Sequence, residues 1–251
     1  MYNIKKSKYR TYTYKDWEQY LKQNDKKRLK LDFTSEPVLS AEVRKLIFPS
    51  IAAFCMGEHS DGKHLLSAAD KFAVRTGETE YPVAMTWFVK EENYHSSYLA
   101  QYMNYHKEPL KKKNPLDFIF RRLRQVGGIF SEVSVLVTAE IIALSYYSAL
   151  GAVARQIGSK ALSDICAQML HDELPHVIFQ SYTLAHLPDT CGTRFFRIFF
   201  MEAVTIAVWM AYGELLKAGG CGFQHFLREN LGYLRQSFEI SEEMEREKIN
   251  L

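Results

Sequence analysis

Glu92-Asn93-Tyr94-His95 and Glu173-Leu174-Pro175-His176 repeat one pattern, Glu-x-x-His, in two parts of the chain. On an α-helix, residues three apart share a face. Each pair therefore aims a carboxylate and an imidazole at one point. Each is also preceded by another Glu at nearly the same interval: Glu58 lies 34 residues before Glu92, and Glu140 lies 33 before Glu173. Glu140 falls inside the apolar run 133–150, where a lone carboxylate is costly unless something neutralises it. The chain must therefore fold so that a helix bearing one Glu accompanies a helix bearing Glu-x-x-His, and it must do so twice.

The remaining sequence is consistent with helices throughout. Apolar residues recur at helical spacing, no segment alternates as a strand does, and no solenoid repeat is present. A short amphipathic helix is expected over 14–22, with Trp17, Tyr20 and Leu21 on its apolar face, followed by a basic, solvated loop over 22–30. Ser40 caps a helix starting at Ala41, which Pro49 interrupts. A first long helix is expected from Ser50 to about Arg75, closed by Gly77. It contains Gly57 and Gly62, which close packing of a neighbouring helix would offset. The second runs from Pro82 to about Tyr105, the third from Leu116 to Ile157 with a bend at Gly127-Gly128, and the fourth from the Ser159 cap to Leu187. Pro175 removes a backbone donor, so a kink or π-bulge is expected between the two ligands of the second motif. A fifth, apolar helix over 193–218 and an amphipathic helix over 224–246 complete the chain.

Composition excludes several classes. With 47% hydrophobic and 14% aromatic residues, the 251-residue chain can bury a large core, and disorder is excluded for most of it. A net charge of +3 gives no reason to expect nucleic acid. The N-terminus carries positive charge without an apolar run, so no signal peptide is expected. No uncharged apolar stretch reaches the roughly 18–20 residues needed to span a bilayer. The most apolar, 195–216, contains Arg197, Glu202 and Glu214 and reads as a core helix. Glu202 is expected to line a pocket or to pair with Arg197. Cys55, Cys166, Cys191 and Cys221 show no paired spacing and read as reduced thiols. A cytoplasmic location follows as an expectation.

The charge arithmetic of the six residues points to metal. Four carboxylates balance two divalent cations, and two imidazoles add neutral nitrogen donors. Mixed carboxylate and imidazole ligands suit iron or manganese better than thiolate-seeking metals. Placed in a helical bundle, Glu92 and Glu173 would bridge two ions, with Glu58 and His95 on one and Glu140 and His176 on the other. Asp61, one turn beyond Glu58, is the alternative ligand from the first helix. Surface salt bridging leaves both the paired spacing and the buried position of Glu140 unexplained.

These residues also carry a resemblance. Glu91-Glu92-Asn93-Tyr94-His95 is similar to the Glu-Glu-Asn-Arg-His motif of soluble acyl-carrier-protein desaturases. Gly57-Glu58-x-Ser60-Asp61-Gly62 and Asp172-Glu173-x-x-His176 resemble bacterial ferritin-like proteins of unassigned activity. The likeness covers about 31–187 and lies in the metal-binding motifs. It implies an all-α fold, a ferritin-like four-helix bundle with additional N- and C-terminal helices. A single domain is expected over 1–251, with a metal-binding core at about 40–188 and accessory helices at about 14–23, 193–218 and 224–246. It also implies two iron ions, or a manganese or mixed manganese–iron pair. The activity implied is that of an O₂-dependent oxidase or oxygenase, hydroxylating, desaturating or N-oxygenating a small or carrier-bound acyl substrate. The alternative is iron oxidation and binding without an organic substrate. In that superfamily the acid preceding each bridging Glu often supports the histidine of the other pair, so Asp172 would orient His95 and Glu91 would orient His176.

Phe88, Leu136, Val137, Leu144 and Tyr147 flank the ligands, as pocket walls or as core. Tyr94 and Tyr98 lie near His95; packing is the expected role of these tyrosines and of Tyr147. His59, His64, His106, His171, His186 and His225 are ordinary by default. A basic cluster of Lys107, Lys111, Lys112, Lys113, Arg121, Arg122 and Arg124 reads first as a solvated face and second as a dock for an acidic carrier or an electron-donor protein. A monomer or homodimer is expected.

Overall fold

A computed structural model describes residues 2–110 and 128–249. The expected basic cluster lies outside these residues except for Lys107. Among the described residues the chain is all-α, with eight α-helices and no strand. They are α1 (Tyr14–Asn24), α2 (Ala41–Glu58), α3 (Lys63–Thr76), α4 (Glu80–Tyr105), α5 (Gly128–Gln156), α6 (Lys160–Leu184), α7 (Cys191–Ala218) and α8 (Phe223–Ile249). Two short 3-10 turns, Ile4–Lys6 and Lys8–Thr11, precede them. The chain divides into two compact units. One holds 12–132 and 159–165, and the other holds 1–11, 133–158 and 166–251.

In the first unit, α4 is the central element, and α1, α2 and α3 all pack on it. Local chemistry sets the helix starts. Thr13 and Asp16 form a reciprocal capping box on α1, and the Ser40 hydroxyl accepts from Val43 N at α2. The Glu36 carboxylate reaches the first turn of α6, accepting from Ala161 N at 3.2 Å and from the Ser159 hydroxyl. That placement matches the positive end of the helix dipole. Tyr14, Phe72 and Tyr81 form a buried aromatic cluster under α1, α3 and α4.

Two expectations fail here. The helix through Pro49 is not interrupted, since α2 runs through it. The break comes instead at 59–62, so the long helix to Arg75 is two helices. Gly62 adopts φ +68°, and a Cβ there would meet Val89 Cγ1 at 2.9 Å. Its amide donates to Ser60 Oγ at 3.1 Å, and Lys63 N donates to Asp61 Oδ1 at 3.2 Å, so Ser60-Asp61-Gly62 is turn chemistry. Gly57, by contrast, has nothing within 4 Å of a built Cβ, so close packing accounts for only one of the two glycines.

The second unit contains the main parts of α5 and α6 with α7 and α8. Helices α5 and α6 approach closely at Gly151, where a Cβ would meet Cys166 Cβ at 3.1 Å. A ladder of buried hydroxyls joins α6 to α8: Ser181 Oγ lies 2.7 Å from Ser237 Oγ, and Ser241 Oγ donates to Ser181 O at 3.0 Å. Helix α6 stays α-helical through Pro175, with no π-turn, so the expected bulge is absent. Both α5 and α7 are long and apolar enough to cross a membrane by length and composition. Most of the apolar stretch of α5 is buried, 78%, as in a core helix, whereas only 33% of that of α7 is. The core reading of α7 therefore holds for one face only: Phe195, Ile198, Phe199, Ile206 and Met210 are exposed. Glu202 is also exposed, and Arg197 is buried against Ser237 Oγ at 2.8 Å and the Phe238 ring rather than against Glu202.

Candidate metal centre

In the first unit, Glu58 is the last residue of α2, and Glu92 and His95 face it from α4. Each offers a ligand atom, and the three atoms lie within 4.8 Å of one another. Nδ1 of His95 is 3.6 Å from Glu92 Oε1. Glu92 and His95 are buried, as one face of α4 requires once three helices cover it.

The end of α2 is held in place by the motif itself. Asn93, between the two ligands, donates through Nδ2 to Ser60 O at 2.9 Å and accepts from Ser60 N at 3.3 Å. It thus clamps the turn that follows Glu58. Asp61 lies in that turn, largely exposed and 3.3 Å from Lys63 Nζ. It does not join the cluster, and Glu58 does.

In the second unit, Glu140 on α5 meets Glu173 and His176 on α6. Their ligand atoms also lie within 4.8 Å of one another. Nδ1 of His176 is 3.1 Å from Glu173 Oε2 and 4.0 Å from Glu140 Oε2. All three residues are buried, with Glu173 and His176 at 0% exposure. Two carboxylates at such separation repel by several kcal/mol unless a cation or proton intervenes. Each triad presents two carboxylates and the Nδ1 of one histidine, a hard, mixed donor set suited to a divalent metal. These buried Glu and His groups can hold metal ions.

Glu91 and Asp172, the acids that precede Glu92 and Glu173, are both buried and hydrogen-bonded. Glu91 is buried beside Glu92, accepts from Asn24 Nδ2 at 2.6 Å and sits 3.5 Å from Arg28 Nη1. Asp172 is buried beside Glu173, accepts from Gln168 Nε2 at 2.8 Å and lies 2.8 Å from His171 Nδ1. Asn24 and Arg28 were not expected at a site. They belong to the stretch 22–30 read as a solvated loop, yet Asn24 is buried, Arg28 lies over the Tyr94 ring, and Leu29 N donates to Tyr98 Oη at 3.1 Å. The signal available in the sequence was a buried acid, Glu91, that needs a donor.

Phe88, Leu136, Val137, Leu144 and Tyr147 are all buried. A cavity of about 330 Å³ in the first unit is lined by His64, Lys71, Arg75, Ile129 and Glu132, and not by Phe88, Leu136, Val137, Leu144 or Tyr147. Cys55 and Cys166 are buried thiols whose pKa burial pushes up, in keeping with their reading as small core residues. No protein-family model, no curated protein and no solved structure matches this chain.

Proposed function

We propose that the chain is a ferritin-like, non-haem di-iron oxidoreductase that uses O₂ to oxidise a small organic or carrier-bound acyl substrate. One observation carries the reading: the donor set Glu, Glu and His occurs twice, each time gathered from two helices. In this reading Glu58, Glu92 and His95 would hold one ion, and Glu140, Glu173 and His176 would hold the other. Four carboxylates then neutralise two divalent ions, and Glu140 needs no other counter-charge in its apolar run. Bound iron supplies the electrons that reduce O₂.

The chain's own residues have separable tasks. Glu58, Glu92, Glu140 and Glu173 hold charge and geometry, while His95 and His176 present Nδ1. Glu91 and Asp172 orient the histidines, as acids beside metal-bound imidazoles generally do. Asn93 fixes the turn that carries Glu58. Manganese, or a mixed pair, uses the same ligands.

Anaerobic loading with ferrous iron tests the proposal. Two irons per chain are expected, magnetically coupled after exposure to air, with O₂ consumed in proportion. Binding of less than one iron per chain, or an unchanged stoichiometry in Glu140→Ala, refutes it. Iron oxidation without an organic substrate is the competing outcome. It predicts O₂ consumption that no fatty, amino or aromatic acid accelerates, and a large hollow assembly by mass.

A further inference from the structure

We propose a second, chemically distinct metal site at the turn from α7 to α8, formed by Cys221, His225 and Glu229 and suited to a borderline divalent ion such as zinc. The three residues offer ligand atoms within 4.8 Å of one another. Their spacing explains why. His225 and Glu229 are one helical turn apart on α8, which begins at Phe223, and Cys221 stands in the turn just before it.

The site is built rather than accidental in three respects. The turn is closed by Gly219 N to Leu215 O at 2.9 Å and Cys221 N to Leu216 O at 2.8 Å. It is pressed onto α5 so tightly that a Cβ on Gly219 would fall 2.3 Å from Ala149 O. Cys221 therefore has a fixed origin and is buried. On the other side, Glu229 Oε2 accepts from Ser145 Oγ on α5 at 3.3 Å and lies 3.7 Å from His225 Nε2. The carboxylate is thus held from behind. His225 completes the access: its side chain is 62% exposed, so the imidazole can close over an ion arriving from solvent.

The donor set differs from that of the triads. Thiolate, imidazole and carboxylate together favour zinc-like ions, and three protein ligands leave the fourth tetrahedral position to water. A bound ion would tie the end of α7 to the first two turns of α8.

Cobalt(II) titration of the full-length protein separates this site from the triads, because only a cysteine ligand gives a thiolate-to-cobalt charge-transfer band. The wild type should show that band as cobalt is added, and zinc should abolish it. Cys221→Ser should remove it, and Cys191→Ser should not. His225→Ala, at an exposed position that does not threaten folding, should weaken cobalt affinity at least about tenfold. Glu92→Gln should leave the band intact while reducing iron loading, so failure of the di-iron reading does not decide this one. No band in the wild type, or a band that persists in Cys221→Ser, overturns the proposal.

Discussion

Replacing Glu140 with Gln should have opposite effects with and without metal. The amide keeps the shape of the side chain and removes one charge. Glu140 and Glu173 offer oxygens within 4.8 Å, and two unit charges at that separation repel by about 3.5 kcal/mol at an effective dielectric of roughly 20. The hydrogen bond between His176 Nδ1 and Glu173 Oε2, at 3.1 Å, offsets part of this. The net relief in the metal-free protein is about 1–2 kcal/mol. For a chain of this size that is a rise in Tm of roughly 3–6 °C. Metal reverses the order. Ligand at about one hundred times its Kd stabilises the folded state by about 2.7 kcal/mol, and the variant, with one fewer anionic ligand, gains less. Paired thermal melts, in chelator and in anaerobic ferrous iron, measure both. If metal-free Glu140→Gln melts at or below the wild type, the close pair of carboxylates is not the strain inferred here, and the charge argument for metal falls with it.

Three further outcomes follow from other parts of the fold. Burial lowers the pKa of His106 despite Glu36 at 3.5 Å. The unfolded chain therefore takes up the proton first, and stability is lost as pH falls below about 6.5. His106→Phe, packed between Phe48 and Tyr102, should lose less Tm than the wild type between about pH 7.5 and 5.5; equal losses would refute this. Gly219→Ala forces a Cβ against Ala149 O and should cost about 2–3 kcal/mol in urea unfolding, whereas Gly57→Ala, with open space around it, should be neutral or stabilising. Arg197 is buried, and its pKa is pushed down to about 9 by that burial. Removing the charge with Arg197→Met should leave stability unchanged or raise it by about 1–2 kcal/mol; a loss above 1 kcal/mol would show that its hydrogen bond to Ser237 and its contact with Phe238 outweigh desolvation.

The helices were legible wherever local chemistry and periodicity agreed. Gly77 ends α3, Ser159 precedes α6, and α4 runs from the first turn marked by Pro82 to Tyr105. Proline effects were less legible: Pro49 sits inside a continuous helix rather than interrupting it, and Pro175 brings no π-bulge to α6. A proline costs a helix about 3 kcal/mol, and burial of Ile47, Phe48, Ser50 and Ile51 around Pro49, and of Glu173, His176 and Val177 around Pro175, offsets it. Conversely, periodicity carried the first long helix across Ser60-Asp61-Gly62, because three polar or small residues barely disturb an apolar pattern. Only the left-handed glycine and its two side-chain turn bonds, which are local and not periodic, reveal the break.

That break is also what defines the ligand. Had the helix continued, Asp61 would lie one turn beyond Glu58 on the same face and would compete for the metal. With α2 ending at Glu58, Asp61 is turned to solvent beside Lys63. Asn93 then acquires a role the motif spacing could not assign, since its amide holds Ser60 from both sides. The Glu-x-x-His pattern specifies what converges on one face of α4. The residue between the ligands specifies where the neighbouring helix must stop for its Glu to join them. Asn93→Leu should therefore lower metal affinity without touching a ligand, while Asn93→Gln restores part of it; equal affinities for wild type and Asn93→Leu, measured by competition with a chelator, would show that α2 ends where it does for another reason.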